Sequence, residues 1–264
     1  MADAYFALID EIAGVATYRA DPATGGPWSP GHQHGGPPSA LLVHAAERLA
    51  ARETGRDDLL ALRCAAEFVG PVPVADVTTE TRVVRAARTA VLIDAVLSAA
   101  GRECLHARIW LVRRADTTAI APEPPPASGP PSDLPGLGAT FPYGDSIEWR
   151  AVRGGLAEPG PGLVWARPTM QVARGSELTG LQRATLIGDS ASGISSELDW
   201  SVWSFLNVDL DVHLARPVVG EWLLLDAATQ LGPSGAALAR ATISDVLGPV
   251  GATAQTLVVE PLRR

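Results

Sequence analysis

Two stretches of the chain show the same order of apolar patterns. Each has one Ala- and Leu-containing segment without β-branched runs, followed by four runs that are β-branched or alternate between apolar and polar positions. A long segment of the first kind predicts a helix, and runs of the second kind predict strands. The predicted helices cover residues 39–52 and 177–192. The predicted strands cover 60–68, 77–86, 90–99 and 103–112 in the first stretch, and 204–215, 221–230, 235–244 and 250–259 in the second.

A proline-rich segment at 121–133 separates the two stretches close to the middle of the chain. Proline fixes φ and lacks an N–H donor, so this density of prolines favours an extended connection. A short apolar segment at 5–12 precedes the first helix, and strand candidates at 147–152 and 162–167 precede the second. We therefore predict an N-terminal unit at 1–115, a linker at 116–140 and a C-terminal unit at 141–264.

Each unit is predicted to contain one long helix wrapped by an antiparallel sheet. A helix that is apolar on most sides needs burial on most sides, which a curved sheet provides. This arrangement is an α+β hot-dog unit, present twice as a double hot-dog. The alternative is one larger α+β domain in which the two halves are similar by accident.

Composition narrows the classes of function. The net charge of −8 argues against nucleic-acid binding, which calls for a basic patch. All basic residues are Arg, so Schiff-base chemistry and a phosphate-binding P-loop lysine are excluded. Cys64 and Cys104 are too few for a disulfide scaffold. The acidic N-terminus is unlike a signal peptide and no apolar run suits a membrane span, so we predict a cytoplasmic protein.

Several stretches together resemble a known family. They are His34-Gly-Gly-Pro-Pro-Ser-Ala-Leu-Leu, Leu186-Ile-Gly-Asp189, Asn207-Val-Asp-Leu-Asp-Val-His-Leu-Ala-Arg-Pro217 and Gln255-Thr-Leu-Val-Val. In order and spacing they resemble the double hot-dog acyl-CoA thioesterases of the type II, TesB-like family. The resemblance implies hydrolysis of an acyl-CoA without metal or cofactor, and homo-oligomers of double hot-dog chains.

The family's catalytic residues are an Asp on the second helix, a hydroxyl residue early in the next strand, and a Gln in the last strand. By position these fall on Asp189, Asn207 and Gln255. Asn207 departs from the hydroxyl of the family, although an amide also donates and accepts hydrogen bonds. A carboxylate can activate water against a thioester, and the two amides can hold that water.

Three further residues are candidates for substrate binding at the start of the first helix. The N–H groups of Gly35 and Gly36 can bind an oxyanion, and His34 is expected to order the Gly-Gly turn. Glu47 on the first helix overlays Asp189 and is a candidate for a second site. Arg108 overlays Gln255, so the two units differ where the chemistry would occur.

Three interpretations of individual residues remain possible at this point. Strict alternation would turn Asn207 away from its helix unless a bulge or the neighbouring unit brings the site there. Asp209 is the alternative candidate for this role. His32 and His34 could bind zinc only with a further ligand. The segment Gly188-Asp-Ser-Ala-Ser192 would be a nucleophile elbow around Ser190 if position 192 were Gly, and His213 is the one downstream His.

Two other functions compete with hydrolysis. Asp209 and His213 are one residue short of the Asp–His spacing of hot-dog enoyl-CoA hydratases and dehydratases. A non-catalytic acyl-binding protein would share the fold.

Overall fold

The structure is a computed structural model that describes residues 3–123 and 125–262. Its strands join into one 14-stranded sheet, which is antiparallel apart from the pairing of β1 with β9. The strands are β1 (Ala4–Ile12), β2 (Val15–Ala20), β3 (Leu59–Phe68), β4 (Asp76–Ala86), β5 (Ala90–Ala99), β6 (Arg102–Arg113), β7 (Ile147–Gly155), β8 (Glu158–Pro168), β9 (Gln171–Ala173), β10 (Trp203–Asn207), β11 (Asp209–Leu214), β12 (Leu223–Leu231), β13 (Ala236–Asp245) and β14 (Gly248–Pro261). The helices are α1 (Gly36–Thr54), α2 (Pro142–Asp145), α3 (Gly180–Gly188) and α4 (Ala191–Ile194), with a 3-10 turn at Pro22–Thr24.

The two halves of the sheet have the same strand order, joined where β3 pairs with β11. Outward from this junction, the first half runs β3, β6, β5, β4, β2, β1. The second half runs β11, β14, β13, β12, β8, β7, with β10 also paired to β14. This repeat confirms the predicted double hot-dog fold. The sequence prediction missed β2, the counterpart of β8.

Helix α1 lies in the core with most of its residues buried, against α3 and strands β4 to β6. Pro37 and Pro38 occupy its first turn, where their missing N–H groups cost no intrahelical bond. Gly55 ends the helix with φ of 62°, a left-handed conformation that glycine adopts readily. The predicted helix at 39–52 lies within it.

The prediction of one continuous helix at 177–192 is wrong, because the structure has α3 and α4 separated at Asp189 and Ser190. Thr179 caps the start of α3 by accepting a hydrogen bond from the Gln182 N–H at 3.3 Å. At the other end, the Gln255 side chain donates to the Asp189 carbonyl at 3.0 Å. A side chain from β14 thus takes up a carbonyl that a continuing helix would have used.

The predicted strand at 204–215 is likewise two strands, β10 and β11, with Val208 between them. Asn207 pairs with Leu257 and Asp211 pairs with Ala254, so four steps on one strand match three on β14. One extra residue in a ladder is a β-bulge. It changes which residues face inward: Phe205 is buried before the bulge and Leu210 after it. Asn207 consequently lies on the inner side, with Phe205.

The proline-rich connection runs along the second half of the sheet. The Ser128 N–H donates to the Val246 carbonyl at 2.7 Å, and the Ala151 N–H donates to the Pro135 carbonyl at 2.8 Å. Farther along, Leu137 and Phe141 pack against the core. Helices with the length and apolar character of a membrane crossing are absent from 3–123 and 125–262.

Candidate active site

A cavity of about 650 Å³ lies where the loop before α1 meets the end of α3. The first half contributes residues from Gly26 to Gly35 and the end of β3 at Phe68. The second half contributes Asp189, the start of α4, and β10. The cavity is therefore built by both halves of the chain.

Asp189 is the centre of the polar contacts in this cavity and is only 4% exposed. Its Oδ1 accepts from Nδ2 of Asn207 at 2.8 Å and from Nε2 of Gln255 at 3.0 Å. Its Oδ2 lies 2.7 Å from Nδ1 of His34. A buried carboxylate is costly unless its charge is compensated, and these N–H groups supply that compensation.

The contacts around the two amides fix their orientation. Nδ2 of Asn207 also lies 3.2 Å from the Asp209 carbonyl, so both of its neighbours are acceptors. Oε1 of Gln255 accepts from the Ser192 N–H at 3.2 Å, while its Nε2 faces Asp189. The opposite orientation of either amide would set oxygen against oxygen. Oδ1 of Asn207 has no hydrogen bond with the residues that the structure describes.

His34 is held in place by Tyr143, a residue that the sequence analysis did not select. Their rings are stacked, with centroids 4.0 Å apart and planes 14° from parallel. The Tyr143 hydroxyl donates to the Leu186 carbonyl at 2.6 Å, and burial raises the pKa of this tyrosine well above its usual value. The hydroxyl thus stays a neutral donor. A lone Tyr between Pro and Gly carries no sequence signal for this role.

Gly35 and Gly36 allow the start of α1 to approach α3 closely. A Cβ at Gly35 would lie 3.0 Å from both carboxylate oxygens of Asp189 and 2.7 Å from Cζ of Phe68. A Cβ at Gly36 would lie 2.6 Å from the Leu186 carbonyl oxygen. The Gly35 N–H has no acceptor among the described residues. The Gly36 N–H lies 3.3 Å from Nδ1 of His34, a longer contact than that nitrogen makes with Asp189.

Glu47 is placed elsewhere, between α1 and the start of α3. Its carboxylate accepts from Oγ1 of Thr179 at 2.8 Å and from Nε2 of Gln182 at 2.6 Å. Burial raises its pKa to about 7, although both hydrogen bonds act to lower it. Glu47 does not line the cavity that contains Asp189.

The strand pairings revise the overlay of the two halves. Ala61 pairs with Leu111 beside an irregularity in β3, as Asn207 pairs with Leu257 beside the bulge. Counting from these pairs, Ile109 occupies the place of Gln255. Arg108 instead is exposed and pairs with Asp94 on the outer face. The first half therefore has Ala61 and Ile109 where the second half has its two amides.

The other candidates do not meet in the cavity. The Asp209 carboxylate accepts from the Thr256 backbone N–H and hydroxyl, and His213 is exposed. Oγ of Ser190 lies 3.4 Å from the Tyr143 hydroxyl, with no His213 nearby to complete a triad. Within 3–123 and 125–262, no three His, Cys, Asp or Glu side chains cluster in a way that could hold a metal ion. No arginine lines the cavity in the described part of the chain.

Two models of known protein families match this chain. The model of the acyl-CoA thioesterase N-terminal domain matches residues 24–112, and that of the acyl-CoA thioesterase C-terminal domain matches residues 118–259. A search of curated proteins finds no match.

Solved structures share the fold at low sequence identity. A hot-dog protein of unknown function from Alicyclobacillus acidocaldarius is 17% identical, with a TM-score of 0.76 over 99% of this chain and 97% of that one. Acyl-CoA thioesterase II of Mycobacterium marinum is 15% identical, with a TM-score of 0.70 over 97% and 96%. The tesB protein of Mycobacterium avium subspecies paratuberculosis is 17% identical, with a TM-score of 0.67 over 96% of each chain.

Proposed function

The chain belongs to the acyl-CoA thioesterase family, and we propose that Asp189 activates the water that hydrolyses its acyl-CoA substrate. One observation carries this proposal: the buried carboxylate keeps a single acceptor position free. A carboxylate oxygen offers about two lone-pair positions. Oδ1 uses both for Asn207 and Gln255, whereas Oδ2 uses one for His34. The free lone pair on Oδ2 therefore accepts the proton of the attacking water, so Asp189 is the general base.

The water is held between this position and the amide oxygen of Asn207. Oδ1 of Asn207 has no partner in residues 3–123 and 125–262, so it is available to accept the second proton of the same water. Two acceptors fix the orientation of a water and aim its lone pair, which lowers the entropic cost of attack. An amide thus takes the place of the family's hydroxyl, which also accepts hydrogen bonds.

The reaction needs no covalent enzyme intermediate. The water oxygen bonds to the thioester carbon while one of its protons moves to Oδ2 of Asp189. The carbonyl oxygen becomes an oxyanion, for which the N–H groups of Gly35 and Gly36 are the donors. When the carbon–sulfur bond breaks, the proton on Asp189 passes to the sulfur. The products are the carboxylic acid and the CoA thiol.

His34 acts in this scheme as a positioning residue. Its Nδ1–H donates to Oδ2, and the stack on Tyr143 keeps the ring from turning away. The donor on Oδ2 restricts the direction from which water can approach. His34 and Gly35 come from the first half, whereas the base and the two amides come from the second.

Substitution of Asp189 by Asn tests the proposal. The amide cannot take a proton, so we expect kcat to fall by about 10²–10⁴-fold, the usual contribution of a general base. Asp209→Asn is the matched control, because Asp209 is close in sequence and its carboxylate contacts only Thr256. Release of CoA thiol from a panel of acyl-CoAs is measured. Hydrolysis by Asp189→Asn at the wild-type rate would refute the proposal.

The competing functions have no comparable support. An enoyl-CoA hydratase would need Asp209 and His213 as an acid–base pair in the cavity, but neither residue lines it. A cytoplasmic location and self-association of double hot-dog chains stay predictions of the sequence.

A further inference from the structure

The cavity is lined by two unlike sets of side chains in addition to Asp189. The loop before α1 contributes the polar residues Ser29, His32 and Gln33, of which His32 is exposed. The second half contributes an apolar and mostly aromatic set. We call the part of the cavity along this set the acyl chamber; it is lined by Leu137, Phe141, Trp149, Leu156 and Trp200.

Gly193 lies close to both Asp189 and the acyl chamber. Asp189 and Ser190 keep helical dihedral angles, with φ and ψ of −63° and −20° and of −80° and −5°. Gly193 therefore lies one turn after Asp189 on the same side, at a separation of about 6 Å. Both residues line the cavity.

The missing side chain at Gly193 leaves an opening between two larger ones. A Cβ placed there would lie 3.5 Å from Cη2 of Trp200 and 3.6 Å from Cδ2 of Leu156. These are ordinary van der Waals contacts, so a methyl group just fits. Any longer side chain would project into the acyl chamber between Trp200 and Leu156.

We propose that Gly193 is a specificity-determining residue that admits the acyl group past Trp200 and Leu156 into the acyl chamber. The inference rests on the proposed function and deepens it by giving the substrate a direction. The CoA part of the substrate lies toward Ser29 and Gln33, and the apolar acyl group lies in the acyl chamber. The class of substrate is an acyl thioester longer than acetyl.

The orientation of the substrate in the cavity follows from the polarity of the two sets of lining side chains. Each methylene that moves from water into an apolar chamber favours binding by about fourfold. If the amide-containing CoA part of the substrate lay in the same chamber, its polar groups would have no hydrogen-bond partners, which is unfavourable. Placement of the acyl group in the acyl chamber satisfies both requirements.

The test compares Gly193→Leu and Gly193→Ala with the wild type on acetyl-, butyryl-, octanoyl- and dodecanoyl-CoA. Leu at 193 fills the acyl chamber between Trp200 and Leu156, so we expect the ratio of kcat/KM for octanoyl-CoA to that for acetyl-CoA to fall at least tenfold. Ala fits, so its ratio should change much less. Gly129→Leu is the control, because Gly129 is exposed and a Cβ there meets nothing within 4 Å. Its ratio should equal that of the wild type.

Two outcomes overturn the inference. One is a Gly193→Leu enzyme with a native melting curve and an unchanged ratio; the other is a wild type that turns over acetyl-CoA only. If Gly193→Leu does not fold, Leu156→Ala enlarges the chamber and should raise the ratio for dodecanoyl-CoA, and no change there overturns the inference. Failure of the wild type on every acyl-CoA would instead refute the proposed function.

Discussion

At Gly35 the backbone of the first half passes directly over the carboxylate of Asp189. A methyl group at this position would stand 3.0 Å from both carboxylate oxygens and 2.7 Å from Phe68. Asp189 cannot move away, because it is held by Asn207, Gln255 and His34. Substitution here therefore changes the geometry of the carboxylate that we propose as the base.

We expect Gly35→Ala to lower kcat by at least tenfold and to cost about 1–3 kcal/mol of unfolding free energy, the usual range for overpacking. The rate of thioester hydrolysis and urea unfolding measure the two effects. Gly70→Ala is a matched control in the same cavity, since a Cβ there would meet only a carbonyl oxygen at 3.9 Å. A Gly35→Ala enzyme as active as Gly70→Ala would show that the close approach is not needed.

For single residues, the sequence predicted which side chains belong to the candidate site but not which contacts they make. Asp189, Asn207 and Gln255 were selected through a family resemblance, and the structure places their side chains in contact. Tyr143 was missed because stacking on His34 depends on tertiary packing. Arg108 was set against Gln255 because the sequence overlay assumed a one-residue insertion in the second hairpin, whereas Ser98 pairs with Glu103 and Ser244 with Pro249 across turns of equal length.

Among the elements, the strands were predicted well and the interruptions were not. Alternation and β-branched residues mark where a strand lies, so the eight strands predicted for the two repeats all correspond to strands of the sheet. The break between α3 and α4 and the bulge at Val208 depend on contacts with β14. No local pattern predicts such contacts, yet the bulge is what turns Asn207 inward, where it contacts Asp189.

The titratable side chain of Glu47 on α1 accepts hydrogen bonds from Thr179 and Gln182 at the start of α3. Burial raises its pKa from 4.5 to about 7, so the folded state holds a proton that the unfolded state has already lost between these values. Its contribution to stability is thus complete below pH 4.5 and is lost as the pH rises to 7. His44 on the same helix acts oppositely, because burial and Arg48 lower its pKa to about 4.

Glu47→Gln separates the two effects, because His44 titrates in both proteins. We expect the unfolding free energy of the variant, relative to the wild type, to rise between pH 4.5 and 7 by the order of 1–2 kcal/mol once partial solvent exposure is allowed for. Denaturant titrations at half-unit pH steps measure this difference. A difference that is flat across the window would mean that Glu47 is ionised throughout.

Over the whole molecule, the active site and the internal duplication are linked. The two halves have the same strand order, but only the second half has the amides, since Ala61 and Ile109 replace them in the first. The first half has a different role: it supplies His34 and the N–H groups of Gly35 and Gly36. The two halves of the duplication thus line one cavity together, with the two amides present in the second half alone among the described residues.

This division predicts how the chain behaves when it is cut in the linker. Fragments 1–118 and 119–264 should each be inactive alone, because the base and its positioning residue are then on different molecules. Co-expressed, they should recover hydrolysis, since β3 pairs with β11 over five residue pairs and α1 packs on α3 without help from the linker. Thiol release by each fragment and by the pair measures this. Wild-type hydrolysis by 119–264 alone would contradict a site shared by both halves, because that fragment contains Asp189 but neither His34 nor Gly35.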